Sequence, residues 1–303
     1  MAKKSLRQQA AAVIRSKTAF NTDSKKGGNA DSKSVPGNYK SLQSLRSANE
    51  TVLALAKIAE DMNVQRIKQI TPDNAEQYLG LKRDNFASQK ALDRDRKALS
   101  IALGVEIPRL KAVSEQVLSS RAYSTEQINN VTKSMTDRNA LAVKIAHNAG
   151  LRAHELLTLK RADEGTKTTS RTWTEDRFAG RDGTVYLVTG KGGLTREVLI
   201  SNDLAKELES RRHEQPQTKM DRGINYLQRY DIGGGNALSS SFTRASQRAL
   251  TFSHGLHGVR HRYAQERIDE IKLKFNVDHD SARDIVAQEL GHFRGDITEV
   301  YLR

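Results

Sequence analysis

Six side chains suited to phosphoryl chemistry occur in the order Arg152, Lys191, His257, Arg260, His292, Tyr301. A phenol, with a pKa of about 10, is a weak nucleophile at neutral pH. Beside two guanidiniums and a histidine bound to one phosphate, the phenolate is favoured, or a neighbour accepts the proton in the transition state. Such a set is equipped to attack a phosphodiester with an aromatic hydroxyl and without a metal. His292 follows Leu290-Gly291 at the expected end of a helix, and Tyr301 comes nine residues later. The plainer reading of one such tyrosine is an aromatic anchor for the end of the chain.

Arg152 lies in Gly150-Leu151-Arg152-Ala153-His154-Glu155-Leu156, just after the glycine expected to stop one helix and at the start of the next. That position sets a bidentate cation beside free backbone N–H groups, a seat for phosphate. Otherwise Arg152 pairs locally with Glu155, which is read as orienting it. Lys191 is at the tip of Gly190-Lys191-Gly192-Gly193, where a hairpin lysine can reach into a groove and protonate a leaving oxygen. A nucleotide-binding loop is rejected, because the Gly-x-x-x-x-Gly-Lys-Ser/Thr spacing is missing and a strand follows where a helix belongs. His257 and Arg260 share a face if their segment is helical. Arg260 is then the second guanidinium, and His257 donates to a nonbridging oxygen or shuttles a proton. His257 and His261 have a metal-like spacing, but the glutamate of His-Glu-x-x-His is absent. No metal is expected, and His261 is read as a supporting residue behind the site.

These residues must be carried by elements, and the pattern predicts mostly helices. Leu42, Leu45, Val52, Leu53, Ala56 and Ala59 recur at helical spacing. Thr71-Pro72 starts another helix, which buries Ala75 and Tyr78. From Phe86 to Leu103, Leu92, Leu99 and Leu103 line one face while Lys90, Arg94, Arg96 and Lys97 stay polar, and Gly104 ends the helix. Ser124-Thr125-Glu126-Gln127 is a capping box, and Asp137 starts a helix that Gly150 stops. Val185–Val188 and Glu197–Ile200 form a hairpin, the one convincing strand pair. The stretch 215–228 is polar and ambiguous. Helices follow over 203–212, 238–250, 260–274 and 281–290. The expected class is therefore mainly α with a small antiparallel β element (α+β).

The formal charge of +14 on 303 residues points to a polyanionic partner. Residues 1–40 carry nine basic side chains against Asp23 and Asp31, half of that excess. The run 21–34 has no apolar anchor, so 1–38 is expected to be a flexible basic arm. It lies along a DNA backbone or merely solubilises, and 6–14 turns helical on binding. The absence of cysteine excludes disulfides and cysteine nucleophiles. No apolar stretch is long enough for a membrane span and none resembles a secretory signal, which predicts a cytoplasmic, nucleoid-associated protein.

Taken together, the motifs resemble those of the tyrosine recombinase/phage integrase family from about residue 39 to 303. Arg152, Lys191, His257, Arg260, His292 and Tyr301 match in order, as do His257-Gly258-Val259-Arg260-His261 and the Leu-Gly-His-(x)5-Thr-x-x-Tyr ending. The resemblance implies a helical core-binding domain (39–110), a linker (111–122) and a catalytic domain (123–303). It implies that these two domains close on duplex DNA as a clamp. It also implies a 3′-phosphotyrosine, a Holliday junction, and a homo-tetramer on two specific recombination sites with half its protomers active at a time. Accessory DNA-bending proteins are candidate partners, and neither ATP nor a metal cofactor is required. Base readout is expected from the helical domain (Lys90, Arg94, Lys97) and from 238–250 (Arg244, Arg248). Three departures stand out. About thirty residues separate Arg260 from His292, which suggests an insertion near Lys272 to Asp280. The stretch Arg161 to Gly183 is long. Only Leu302 and Arg303 follow Tyr301, where many relatives have a further helix that docks on a neighbouring protomer. Two rival readings are a type IB-like topoisomerase, which rejoins the same strand, and a non-catalytic architectural DNA-binding protein, which needs none of the six groups.

Overall fold

The computed structural model describes residues 4–18, 42, 45–85, 88–112, 120–190, 192–293 and 295–302. The chain divides into two compact units, Met1–Leu118 and Ser119–Arg303.

In the first unit, side-chain caps mark where helices begin. Ser5 caps α1 (Leu6–Arg15), Thr71 caps α3 (Pro72–Lys82) and Ser88 caps α4 (Gln89–Leu103). Each hydroxyl accepts from a backbone N–H that the first turn leaves without a partner. Gly104 closes α4 at φ 74°, a left-handed conformation that glycine adopts without a Cβ penalty. With α2 (Leu45–Asp61), these helices enclose Leu55, Ile58, Leu79, Leu92 and Leu99. Leu53, expected on the apolar face, is 51% exposed; Ala54, Leu55 and Ile58 take that face. The expected flexible arm needs correction over α1, whose Ala10 and Ile14 are buried in this same core. The low-complexity run 21–34 lies outside the described residues.

The second unit starts at α5 (Thr125–Lys133), where Ser124 and Gln127 form a reciprocal capping box, and continues through α6 (Asp137–Asn148). A short strand β1 (Lys160–Arg161) pairs with β2 (Thr184–Thr189), and β2 pairs antiparallel with β3 (Thr195–Ile200). After α7 (Asn202–Ser210) the polar stretch that looked ambiguous is a second hairpin, β4 (Arg212–Asp221) with β5 (Ile224–Tyr230). Its turn places Arg222 at φ 50° and Gly223 at φ 77°, the two left-handed residues of a tight hairpin turn. β4 is exposed along most of its length, so no apolar alternation marks it.

Then come α8 (Gly235–Leu250), α9 (His257–Phe275), α10 (His279–Glu289), α11 (Gly295–Thr298) and a 3-10 turn, Glu299–Tyr301. The region expected to hold an insertion is the last turn of α9, a short connection and the start of α10. α9 itself runs to 19 residues. One core gathers α5, α6, the three-stranded sheet and α8 around Leu141, Val188, Val198 and Phe242. A second joins α9, α10 and the terminal turn through Tyr263, Ile268, Val286 and Tyr301. Among the described residues, no helix is long and apolar enough to cross a membrane.

Candidate active site

Four local devices aim side chains at one place in the second unit. Gly150 ends the α6 region at φ 61°, where an added Cβ would lie 2.5 Å from the Tyr263 ring. The chain then turns into Arg152. The Arg152 N–H is not one of the free N–H groups expected there, because it donates to Glu155 Oε2 at 2.8 Å. Arg152 Nη1 donates to Glu155 Oε1 at 2.9 Å. Strand β3 alternates in burial, so Arg196 points inward with Val198 and Ile200. The start of α9 presents His257, Arg260 and His261. The end of α10 is a left-handed stop at Gly291 (φ 74°), with the His292 N–H donating back to Ala287 O at 2.7 Å. That pattern fixes the direction in which His292 leaves the helix.

The guanidiniums of Arg152 and Arg260 converge rather than facing apart. Arg152 Nη2 lies 3.2 Å and Arg260 Nη2 3.3 Å from His292 Nε2. A guanidinium only donates, so Nε2 is the acceptor and the imidazole is neutral with its proton on Nδ1. Arg260 is fully buried; it also donates to Gly150 O and, at 2.6 Å, to Leu290 O. Burial, reinforced by Arg152, pushes Arg260 down to about 10. His292 is pushed down to about 3 by burial and by Arg260 and Arg152. His257 falls to about 4 for the same first two causes, burial and Arg260, and His261 to about 4 through burial and Arg121.

Tyr301 stands against this cluster. Its ring centroid is 4.8 Å from His261, 5.3 Å from His257 and 5.7 Å from His292, and the Arg260 guanidinium is 5.5 Å from it. Gln265, one turn beyond His261, donates to the Tyr301 carbonyl at 3.2 Å. Arg283 on α10 ties down the same turn through Glu299 at 3.0 Å. Lys191 lies outside the described residues; β2 ends at Thr189 and β3 begins at Thr195.

Glu155 is at the centre, wholly buried and shared by Arg152 and by Arg196 at 3.1 Å, with Arg260 at 3.7 Å. Burial works to raise its carboxyl, but Arg196, Arg260 and Arg152 together hold it well below the usual carboxylate range. Sequence reasoning passed over Arg196, although its place two and four residues before Val198 and Ile200 was a signal of inward orientation. It also passed over Glu289, which is wholly buried. Glu289 accepts from Arg267 Nε at 3.1 Å, Tyr263 Oη at 2.8 Å and the Phe178 N–H at 2.8 Å. Through that last bond, and through Trp173 packed 4.8 Å from Phe293, the long stretch before the hairpin is tied to the end of α10. The candidate contacts for bases behave differently. Lys90, Lys97 and Arg244 are exposed, Arg94 pairs with Asp95 at 2.8 Å, and Arg248 donates to Ser134 O at 2.8 Å.

No protein-family model matches the chain, and no curated protein matches it. Solved structures do. A lambda integrase dimer bound to a COC′ core site has a TM-score of 0.55 at 14% identity, covering 90% of each chain. The XerH site-specific recombinase bound to difH substrate, a pre-cleavage complex, has 0.52 at 14%, covering 100% of this chain and 94% of that one. The Tn1549 transposon integrase with a circular intermediate DNA has 0.52 at 11%, covering 99% and 95%. At such identities the likeness speaks for the fold, and on that ground the chain has the fold shared by the tyrosine recombinases and phage integrases.

Proposed function

We propose that the protein is a site-specific DNA recombinase that cuts and rejoins strands through a 3′-phosphotyrosine on Tyr301. The observation that carries this reading is the meeting of Arg152 Nη2 and Arg260 Nη2 at His292 Nε2, beside the Tyr301 ring. Two donors aimed at one acceptor mark a place for a phosphate oxygen, for which the imidazole nitrogen stands in while no DNA is bound. Uncompensated buried cations are costly, so the cluster makes physical sense when an anion occupies it. A bound phosphate also raises the basicity of neighbouring histidines, which lets His292 and His257 carry a proton to a nonbridging oxygen.

In the proposed step, Tyr301 Oη attacks phosphorus while its proton passes to a neighbouring base. The P–O5′ bond breaks, and Lys191 protonates the departing 5′-oxygen. Arg152 and Arg260 stabilise charge on the equatorial oxygens, the largest kind of contribution in such sites. A 5′-hydroxyl from a second duplex then attacks the phosphotyrosine, restores the phenol and yields a Holliday junction. One phosphodiester is replaced by one phosphotyrosine and back, so no external energy source is needed. The similar structures, among them a DNA-bound dimer, pre- and post-cleavage complexes and a tetramer on a Holliday junction, support the same reading for this chain. Closure of the two units on duplex DNA and assembly of four protomers on two sites belong to this proposal.

The test is to trap the protein on nicked DNA, from which the 5′-hydroxyl end diffuses away, and to sequence the held ends. Tyr301→Phe removes the nucleophile and little bulk. It is expected to bind DNA normally and to form no covalent adduct; adducts that persist in this variant rule the assignment out.

A further inference from the structure

The charge around Glu155 exceeds what a structural role requires. Its two oxygens are already satisfied by the backbone N–H and Nη1 of Arg152. Arg196 and Arg260 nevertheless also lie within salt-bridge distance of it, both at 1% exposure or less. Among the described residues of this cluster, three guanidiniums against one carboxylate leave an excess of two positive charges, since the surrounding histidines are neutral. Arg196 is fixed at Nη2 by Glu155 and at Nε by the Glu289 carbonyl at 3.0 Å, while its buried Nη1 has no partner. It runs directly beneath Gly291, where an added Cβ would be 3.0 Å from its Cδ, and so lies next to His292. Burying a third cation is unfavourable for the protein alone.

We infer that Arg196 is a positioning residue that supplies the second excess charge, matching the site to the transition state rather than to the bound DNA. This rests on the phosphotyrosine reading. A phosphodiester carries one negative charge and its five-coordinate transition state two, so a site with an excess of two discriminates between them. The two contacts of Arg196 also join Glu155, which holds Arg152, to the carbonyl of Glu289, three residues before His292. The charge and the geometry therefore come from one side chain.

The experiment uses the full-length chain and its recovered target duplex, with either a normal phosphodiester or a methylphosphonate at the scissile position. Methylphosphonate removes one negative charge from both ground and transition states. On normal DNA, Arg196→Met is expected to slow adduct formation on the order of 100-fold, the scale for losing one transition-state donor. DNA affinity should stay within about threefold, because the ground-state diester already has its counter-charge. Arg196→Lys restores the charge and is expected to recover most of the rate. On methylphosphonate DNA the order changes, and Arg196→Met should equal or exceed the wild type. If Arg196→Met does not fold, Arg196→Gln keeps a donor toward the Glu289 carbonyl without the charge and takes its place. An unimpaired neutral variant, or one equally impaired on both substrates and not rescued by lysine, overturns the inference while leaving the phosphotyrosine reading intact. Failure of the wild type to form any adduct on normal DNA overturns that reading instead, and the inference with it.

Discussion

The three histidines around Tyr301 are held in a state set by their surroundings, and this has a measurable consequence. In an unfolded chain an imidazole titrates near 6.5. In the folded protein, burial together with neighbouring arginines brings His292 to about 3, and His257 and His261 to about 4. Between those values the unfolded chain binds protons that the folded chain does not. Stability is therefore fully present above about pH 6.5 and is lost as the pH falls toward 4. His292→Gln removes one such group. It should flatten the dependence of unfolding free energy on pH between 6.5 and 4.5 by roughly 1 kcal/mol per pH unit, as read from urea midpoints at several pH values. Carboxylates contribute at the acid end of this window, where unfolded glutamate (about 4.3) starts to protonate. They do so in wild type and variant alike, so the difference between the two slopes reports the imidazole. An unchanged slope in the variant would count against a buried, neutral His292. The pairing of Glu155 with Arg152 was legible from residue types and spacing. The state of each imidazole was not, since it depends on cations that approach from other segments.

At the scale of elements, α9 carries the site and explains how far local pattern can mislead. Its sequence is heavily charged, yet Arg260 and Arg267 are 0% exposed. Buried charge on a helix face hides the apolar stripe that marks an inward side. Placement of this helix depends on Gly258, where an added Cβ would be 2.3 Å from the Arg121 carbonyl oxygen and 2.7 Å from the Tyr123 ring. Tyr123 cannot easily yield, since its hydroxyl accepts from the His254 N–H at 2.6 Å and its ring packs against Phe242 and Phe252. Gly258→Ala should cost about 1–3 kcal/mol, as overpacking does, and should slow adduct formation by displacing His257 and Arg260 together. Chemical denaturation and trapping kinetics check both; a wild-type midpoint and rate would show that α9 is free to shift. The second hairpin is a different case. Its exposed strand β4 shows no alternation, and the signal that remained was the Arg222-Gly223 turn.

For the whole molecule, the excess of positive charge is the property that a binding experiment reads most directly. Affinity for duplex DNA should fall steeply with salt as counterions are released. Lys90 and Lys97 are exposed and form no ion pair among the described residues, whereas Arg94 is partly spent on Asp95. If α4 meets the backbone, Lys90→Gln with Lys97→Gln should reduce the salt-dependence slope by roughly 2, at about 0.9 per phosphate contact. The effect should be alike on all sequences, and Arg94→Gln should add less. Fluorescence anisotropy across a salt series measures this; an unchanged slope removes that face of α4 from the interface. The described part of the basic N-terminal segment has another role as well. Ile14 on α1 fills the first core with Leu55, Leu79 and Leu99, so α1 belongs to the folded unit.

Sequence alone determined what is local: helix starts with their own caps, the hairpin over 184–200, and the order of the six candidate groups along the chain. Each of these depends on neighbours a few residues away, where side-chain type and spacing carry the physics. Only the tertiary structure decided that Arg152, Arg260 and His292 share a point, that Arg196 and Glu289 face inward, and that α1 packs into a core. Burying a charge is tolerable when partners separated by 22 to 105 residues arrive together, as they do at Glu289 with Arg267 and at Glu155 with Arg260. No window along the chain contains that information.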